Sequence, residues 1–393
     1  MTKPLEGLVV VEAAEGIAAP YCCRCLADAG ADVIKVEPIG GDATRQWAPP
    51  WRNSSVPFAA LNHGKSSIAV AHLAGRSDKV REILRGSADV IVADDSGIGR
   101  WMTSGPLVGS TVECVVNGFG PHGPWNERPG SELVAQLESE MTTSLGTIGD
   151  PPLRLGTDMV SMTAGIFASQ GVAAALVAGG GTKSSRLTVS LLGSALTMRS
   201  TLWGARSNPD EWWGFHLDSY VKPPFHGYRC KDGLVFAALR MPAQIDWDVL
   251  VREFAMDWWK DDSRAGILRA DSLGPSSRYG HAVQDLWERA FRDLTVDEVI
   301  AKIEAVGGNG FTMHDHRSLL DDEQLATLDC VTFDDGVPVI RSPWTFDGDA
   351  KDDHLASGPV LVPDVGVDTD TVLSRFGLDP LEIAELRGVG VLP

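Results

Sequence analysis

One carboxylate stands out as a candidate nucleophile, because it follows a glycine turn and opens a long run of small residues. Asp158 comes directly after Leu155-Gly-Thr, and the residues from Met159 onward predict one long helix. A helix N-terminus has unpaired backbone N–H groups and the positive end of the helix dipole, so it favours an ionised carboxylate. The same placement describes an ordinary helix cap. From the residues alone, Asp158 is either a nucleophile or a capping residue.

The sequence contains no pattern typical of a metal site. Cys22 and Cys25 stand three apart, but no second pair of cysteines or histidines at zinc spacing accompanies them. We therefore expect these cysteines to pack within a helix of small residues. The histidines that we considered are not four residues apart, so no two of them share a helix face. They are His63, His122, His226, and the loop pair His314 and His316. The sequence predicts no bound metal.

The charge balance argues against two classes of partner. Of 393 residues, 34 are Lys or Arg and 53 are Asp or Glu, which gives a net charge of −19. Such a charge opposes general binding to nucleic acid or to an anionic membrane surface. The run from Met159 to Gly181 approaches the length of a membrane span, but its polar residues and glycines predict a buried helix of a soluble protein. Nothing resembles a secretion signal, so we expect a cytoplasmic protein without a membrane partner.

The opening third of the chain alternates β-rich runs with helical patterns, which is typical of βαβ units around a parallel sheet. It contains neither a glycine-rich dinucleotide motif nor a Walker lysine loop. The fold class that we predict is α/β. The predicted strands are 7–12, 31–37, 88–93, 111–117 and 186–190, and the predicted helices include 20–29, 77–85 and 131–143.

A chain of this length exceeds what one hydrophobic core usually serves, so we predict more than one domain. The predicted divisions are a large first domain at 1–205, a small α+β domain at 206–328, and a C-terminal segment at 329–393 that returns to the large domain.

Several segments, in order along the chain, resemble class III CoA-transferases. No single piece suffices, but the set is specific and covers essentially the whole chain. The segments are Pro4-Leu-Glu-Gly-Leu-Val-Val-Val-Glu12, Ala18-Ala-Pro-Tyr-Cys22, Leu26-Ala-Asp-Ala-Gly-Ala-Asp-Val-Ile-Lys-Val-Glu-Pro38, Leu61-Asn-His-Gly-Lys-Ser-Ser67, Gly118-Phe-Gly-Pro-His-Gly-Pro124 and Ser342-Pro-Trp-Thr-Phe346.

This resemblance implies an interlocked homodimer, in which each subunit has a Rossmann-like large domain, a small domain and a returning C-terminal segment. It implies that Asp158 is the nucleophile, which attacks an acyl-CoA thioester to give a mixed anhydride. The CoA thiolate then returns to form an enzyme thioester, and an acceptor carboxylate collects the CoA. The resemblance also places an acidic residue beside the nucleophile, and Glu132 occupies that position.

The resemblance further implies that CoA is the co-substrate and suggests which loops bind it. Arg45, Lys65 and Arg100 are its candidates for phosphate contacts, although each could be a solvated charge. The residues at the matching positions are Ile17, Ala18, Val70, His72, Leu73, Asp94, Asp95, Arg100, Arg128 and Ser131.

Departures from the family pattern leave two other functions open. One is an acyl-CoA racemase, but Ser131 stands where the family's racemases have a histidine, and a hydroxyl has no suitable pKa for moving an α-proton. The other is a non-catalytic acyl-CoA-binding subunit, because Ile17 replaces a polar residue and the connection 94–106 is short. A glycine-rich loop is also missing after Trp213, which implies carboxylate substrates larger than oxalate.

Overall fold

The computed structural model describes residues 3–72, 75–144, 151–179, 182–200, 203, 207, 227–239, 246–271, 273, 280–328, 331–334, 336–340, 342–344 and 362–393. The chain divides into two compact units. The first comprises residues 1–139, 155–200 and 329–393, and the second comprises residues 140–154 and 201–328. The predicted domain boundaries at 205/206 and 328/329 stay predictions.

Six parallel strands form the central sheet of the first unit. Their order across the sheet is β5-β2-β1-β6-β7-β8, so the chain order reverses between β1 and β6. In open parallel sheets, ligands bind beyond the carboxyl ends of the strands at such a reversal. The strands are β1 (Val9–Ala13), β2 (Asp32–Glu37), β5 (Ser66–Ala69), β6 (Val90–Asp94), β7 (Val112–Asn117) and β8 (Ser185–Ser190).

The residue pattern predicted this sheet except for β5. That strand has only four residues and begins with two serines, so it lacks the apolar run that marks a buried strand. It is nevertheless buried, because it pairs with β2 on one side and the C-terminal segment covers the other. Two short strands form a separate antiparallel pair before it: β3 (Pro50–Trp51) and β4 (Ser54–Ser55).

Helices cover both faces of the sheet. Val10 and Val33 belong to the core on the side of α1 and α6, whereas Val11 and Ile34 belong to the core on the opposite side, as the period of a strand requires. The helices of this unit before the C-terminal segment are α1 (Ala18–Asp28), α2 (Val56–Asn62), α3 (Asp78–Ser87), α4 (Gly97–Thr103), α5 (Glu132–Glu138), α6 (Met159–Gly179) and α7 (Leu191–Met198).

Helix α5 is shorter than the pattern predicted. Residues 131–143 read as one helix, but α5 ends at Glu138, and Glu140 has a φ of 60°. A left-handed residue cannot continue an α-helix, so the chain restarts as a 3₁₀ turn at Met141–Ser144.

Helices α1 and α6 approach each other through glycine. A Cβ on Gly165 would lie 2.6 Å from the carbonyl oxygen of Ala18, so only glycine allows this contact. Helix α6 is long and apolar enough to cross a membrane by length and composition, with a mean hydropathy of 1.6. The core helix of a soluble protein passes the same test.

The C-terminal segment covers the β5 edge of the sheet. The Asp368 carboxylate accepts the backbone N–H of Ser67 at 2.8 Å, and Ala71 N–H donates to the carbonyl of Val391 at 2.9 Å. Two helices from this segment, α13 (Thr369–Arg375) and α14 (Pro380–Gly388), contribute Val372, Leu373 and Ile383 to the core. An edge strand covered in this way is protected from pairing with another chain.

The second unit has its own core around a three-stranded antiparallel sheet. Trp247, Trp259 and Trp287 pack together there, and the Trp287 indole N–H donates to Asp271 at 2.8 Å. Its strands are β9 (Tyr228–Arg229), β10 (Leu234–Leu239) and β11 (Gly308–Thr312), and its helices are α8 (Trp247–Glu253), α9 (Ala265–Ala270), α10 (Gly280–Phe291), α11 (Val296–Ala305) and α12 (Glu323–Leu328). A hairpin of β12 (Val331–Asp334) and β13 (Val337–Ile340) belongs to the first unit.

Candidate active site

Asp158 directly precedes α6, the helix that packs most closely against α1. Its carbonyl accepts the N–H of Met162 at 3.0 Å, which is the first hydrogen bond of the helix. Its side chain is half-buried, and the two residues before it are exposed. The carboxylate therefore lies at a helix start, as the sequence predicted, and it is open to solvent on one side.

Glu132 caps the start of α6 from a neighbouring helix. Its two carboxylate oxygens accept the backbone N–H groups of Val160 at 3.1 Å and Ser161 at 2.7 Å. These two first-turn donors therefore serve a glutamate from a neighbouring helix. The expectation that the N–H groups at this helix start are unpaired is therefore wrong for these two.

A second α5 side chain completes the contact between α5 and the start of α6. Gln136 lies one helical turn after Glu132 and is completely buried. Its amide nitrogen donates to Glu132 Oε1 at 2.7 Å, and its amide oxygen accepts the N–H of Leu155 at 3.0 Å. Sequence reasoning missed Gln136, although an i, i+4 pair of Glu and Gln on a short helix is a detectable signal.

The start of α5 is fixed by two glycines. A Cβ on Gly118 would lie 2.6 Å from the Cα of Gly130, and Gly130 is equally intolerant of a side chain because its Cβ would meet Gly118. This contact brings the end of β7 against the start of α5. Ser131 is the N-cap of α5, and its hydroxyl accepts the N–H of Val134 at 3.4 Å.

Two neighbouring aspartates at the end of β6 connect the adjacent loops. Asp94 accepts the N–H of Glu15 at 2.9 Å, which holds the loop after β1 across the point where strand order reverses. Burial raises the pKa of Asp95, and the nearby backbone N–H of Gly118, in the loop after β7, partly opposes this rise. A continuous set of contacts therefore leads from the strand-order reversal through Gly118 and Gly130 to α5 and Asp158.

Sequence and structural comparisons identify the protein family. The family model described as CoA-transferase family III matches residues 5–365. The chain belongs to CoA-transferase family III. Its resemblance to this family, first seen in short segments, is thereby confirmed over nearly the whole chain.

Relatives of this transferase include two with named activities. The (R)-2-hydroxy-4-methylpentanoate CoA-transferase of Clostridioides difficile is 26% identical, and the alignment covers 98% of each chain. The succinyl-CoA:glutarate CoA-transferase of Mus musculus is 30% identical over 59% of this chain and 55% of its own. A CAIB/BAIF family protein from Brucella suis has the same fold, with a TM-score of 0.76, 22% identity, and coverage of 96% of this chain and 100% of that chain.

Two residues of the transferase that were predicted to bind phosphate instead form buried ion pairs with glutamates. The Arg45 guanidinium is 8% exposed and donates to both carboxylate oxygens of Glu37, at 2.7 and 2.6 Å. The Lys65 ammonium is buried and donates to Glu12 at 2.6 Å. A buried cation with a bonded carboxylate partner is unsuited to a diffusing phosphate. Both residues therefore have a structural role in place of the predicted phosphate contact.

Other predicted CoA positions lie along the carboxyl edge of the sheet. The Val70 side chain is fully buried in the core, so only its backbone could face a ligand. His72 is exposed, and its Nε2 would lie 2.9 Å from a Cβ added to Gly97 at the start of α4. Ile17 and Ala18 begin α1, and Ile17 makes no side-chain cap. Leu73 lies outside the described residues.

Two predicted arginines are accessible. Arg100 is exposed on α4 and lies close enough to Asp95 to lower the pKa of that carboxyl group, although burial has the larger effect and raises its pKa. Arg128 is exposed, with its guanidinium 5.4 Å from the centre of the Trp125 ring. Phe119 packs edge-to-face on the same tryptophan at 5.4 Å, which supports the loop that carries Arg128.

The described cysteines of the transferase are packing residues. Cys22, Cys25 and Cys114 are buried, and burial raises the pKa of Cys25 to about 11 and that of Cys114 to about 12. Thiols with such pKa values are poor nucleophiles at neutral pH. Among the residues that the structure describes, no group of three His, Cys, Asp or Glu side chains could hold a metal ion.

The Asp94 carboxyl group should make the stability of the folded protein depend on pH. Burial raises its pKa from 3.8 to about 6, although hydrogen bonds from Ser96 and Glu15 partly oppose this rise. The folded state therefore binds the proton more tightly than the unfolded state, so Asp94 contributes stability that increases as the pH falls from about 6 towards 3.8. The total is about 3 kcal/mol, at about 1.4 kcal/mol per pKa unit.

The measurement is urea unfolding of the wild type and Asp94→Asn at pH 7, 6, 5 and 4. Because the asparagine does not titrate, we expect the wild type to gain stability relative to the variant as the pH falls. A stability difference that is independent of pH, or that changes in the other direction, contradicts the assignment.

Proposed function

We propose that this transferase moves CoA from an acyl-CoA thioester to a carboxylic acid through covalent intermediates on Asp158. The observation that carries the proposal is the placement of Asp158: a half-buried carboxylate held at the start of α6 by Glu132, in a member of CoA-transferase family III. A carboxylate at this position can reach a thioester bound across the carboxyl edge of the sheet.

The proposed reaction begins when an Asp158 carboxylate oxygen attacks the thioester carbonyl carbon. The C–S bond breaks, which releases the CoA thiolate and leaves a mixed anhydride. The thiolate then attacks the Asp158 carbonyl carbon, and the donor acid leaves with the bridging oxygen. The product of this half-reaction is a thioester between Asp158 and CoA.

The second half-reaction reverses these steps with a different acid. The acceptor carboxylate attacks the Asp158 thioester and forms a new anhydride, and the CoA thiolate then attacks the acceptor carbonyl. The new acyl-CoA leaves, and Asp158 keeps one oxygen from the acceptor. Each step exchanges one carboxylate or thiolate for another, so no proton needs to be transferred.

Glu132 acts in this scheme as a positioning residue. Its two carboxylate oxygens accept backbone N–H groups at the start of α6, and one also accepts a hydrogen bond from Gln136. A carboxylate with three such partners is held in one orientation with its oxygens already occupied, which suits support of the nucleophile more than transfer of a proton.

The proposed contacts of CoA are accessible groups at the carboxyl edge of the central sheet. Arg128 and Arg100 are exposed there and are the proposed phosphate contacts, whereas the buried Arg45 and Lys65 are left out. The proposed acceptor is a carboxylate larger than oxalate, in the chemical range of the dicarboxylates and 2-hydroxy acids named for the relatives. We propose a cytoplasmic location.

The test is a set of incubations in deuterated water, with succinyl-CoA or a 2-methylacyl-CoA as donor and with glutarate, 2-hydroxy acids or oxalate as acceptors. We expect new CoA esters and free donor acid in equal amounts by mass spectrometry. The 2-methylacyl-CoA should keep its configuration and gain little α-deuterium, because Ser131 is a helix cap and supplies no acid/base group near neutrality.

Rapid α-deuteration without transfer to any acceptor would instead assign the racemase activity. His226 lies outside the described residues and would then be the first base to test. Binding of acyl-CoA with neither reaction would support the non-catalytic subunit.

We also propose that the transferase is a homodimer whose chains interlock and whose large domain is Rossmann-like. The apolar surface of α6 and α7 supports this assembly, since Val177 is 84% exposed and Ile166, Leu196 and Met198 are each 38–40% exposed. Exposed apolar surface of this kind is typical of an interface between subunits. Interlocked chains separate only on unfolding, so sedimentation should give a dimer at micromolar concentration. A monomer that exchanges freely would contradict interlocking.

A further inference from the structure

Gln136 is the most buried polar side chain in contact with the segment that carries Asp158. It lies on α5 and is fully inaccessible to solvent, so every polar atom of its amide needs a partner within the protein. All of the partners described for this side chain are at the approach to Asp158 or on Glu132.

The amide makes contacts on both sides of the turn. Its oxygen accepts the N–H of Leu155 at 3.0 Å. Its nitrogen donates to Glu132 Oε1 at 2.7 Å and also faces the carbonyls of Leu155 and Thr157, each at 3.4 Å. One side chain thus binds the backbone up to the residue before Asp158 and the carboxylate that caps the residues after it.

We propose that Gln136 is a positioning residue that sets the point from which Asp158 attacks the thioester, an inference that rests on the proposed function. In the segment 155–157, Gly156 and Thr157 are exposed, and the segment has no regular secondary structure. Its hydrogen bonds to Gln136 are therefore a main constraint on the backbone before the nucleophile. Glu132 constrains the backbone after Asp158, and Gln136 orients Glu132.

The physical reason for a large effect is the geometric demand of nucleophilic attack. A displacement of about 1 Å at a reacting group can cost about 100-fold in rate. Without the Gln136 amide, the Leu155 N–H and one oxygen of Glu132 each lose a buried partner. The turn then relaxes toward solvent or toward other partners, and Asp158 moves with it.

The experiment compares Gln136→Met and Gln136→Glu with the wild type. Methionine has nearly the same length and volume but can neither donate to Glu132 nor accept from Leu155. We expect kcat for CoA transfer to fall by about 10- to 100-fold, with the KM for the acyl-CoA changed by less than about 3-fold, because substrate binding does not use Gln136.

Gln136→Glu separates hydrogen bonding from packing. When protonated, the new carboxyl group has one O–H donor and one carbonyl acceptor, the same two functions that the amide uses here. When ionised, it has no donor and repels Glu132. The ratio of its kcat to that of the wild type should therefore rise as the pH falls from 8 to 5, and the ratio for Gln136→Met should stay low throughout.

The matched control is Gln284→Met. Gln284 lies in the second unit and donates to Glu288, four residues later, at 3.3 Å, so it forms the same type of pair on a different helix. This variant should keep the wild-type kcat. Asp158→Asn is measured in parallel to separate the two proposals.

Wild-type kcat in Gln136→Met overturns the inference, and so does a Gln136→Glu ratio that does not rise at low pH. Because that ratio follows one variant across pH and does not involve Gln136→Met, it decides the matter even where Gln136→Met fails to fold. If the wild type transfers no CoA, or Asp158→Asn retains transfer, the failure belongs to the proposed function.

Discussion

Replacing Asp158 with asparagine should lower CoA transfer by at least about 1,000-fold, because the amide is nearly isosteric with the carboxylate but does not attack a thioester. Its backbone role should survive, since the hydrogen bond that starts α6 uses the Asp158 carbonyl. We therefore expect an unchanged thermal midpoint and CoA affinity together with the lost turnover. The measurement is the steady-state rate of new CoA-ester formation.

Isotope transfer makes the role of Asp158 specific. With an acceptor carrying ¹⁸O in its carboxylate, the proposed steps leave one labelled oxygen on Asp158 after each turnover. Mass spectrometry of the peptide containing Asp158 should show that label. Asp297→Asn is the control, because Asp297 is an aspartate at the start of a helix, as Asp158 is, but is exposed and lies in the other unit. Full activity in Asp158→Asn, or unlabelled Asp158 after turnover, contradicts covalent catalysis by this residue.

Replacing Lys35 with methionine should lower the free energy of unfolding by about 3 to 5 kcal/mol, the usual cost of removing one partner from a buried ion pair. The Lys35 side chain has no exposed surface and lies 2.7 Å from Glu12 and 2.8 Å from Asp42. Burial by itself lowers the pKa of Lys35, but the attraction of the surrounding carboxylates outweighs it and raises the pKa. The ammonium also donates to the carbonyl of Ala14 at 2.9 Å. Its loss therefore loosens the loop before α1 as well.

Urea unfolding at fixed protein concentration measures this effect, since any dimer makes stability depend on concentration. Adding Asp42→Asn to Lys35→Met should restore part of the loss, because it removes a buried charge that no longer has its cation. Lys79→Met is the control: Lys79 pairs with Glu382 at the surface, and such a pair is worth less than about 1 kcal/mol. Equal losses in Lys35→Met and Lys79→Met would show that the buried network contributes little.

Much of the sheet could be predicted from the sequence, because buried parallel strands are short apolar runs between helices. The runs around Val10, Val33 and Val90 all form strands at these positions. β5 was missed because its burial comes from a segment about 300 residues later in the chain. No local pattern contains that information.

The candidate site could be predicted only in part. The position of Asp158 at a helix start follows from the glycine turn and the small residues after it, which are local features. The partners of Glu132 do not, because Val160 and Ser161 lie 28 and 29 residues away and meet it only when α5 packs on α6. The phosphate assignments of Arg45 and Lys65 failed for the same reason, since a basic residue in a sequence gives no sign of the carboxylate that will pair with it.

The sequence by itself determined the α/β class, the resemblance to class III CoA-transferases and the choice of Asp158, because apolar periodicity and motif order are properties of neighbouring residues. Only the tertiary structure decided which polar groups share a hydrogen bond. It assigned the first-turn N–H groups of α6 to Glu132, buried Gln136 beneath the turn, and placed Lys35 between Glu12 and Asp42. The physical reason is that a hydrogen bond or buried ion pair depends on distances of about 3 Å, which are set by how whole helices and strands pack.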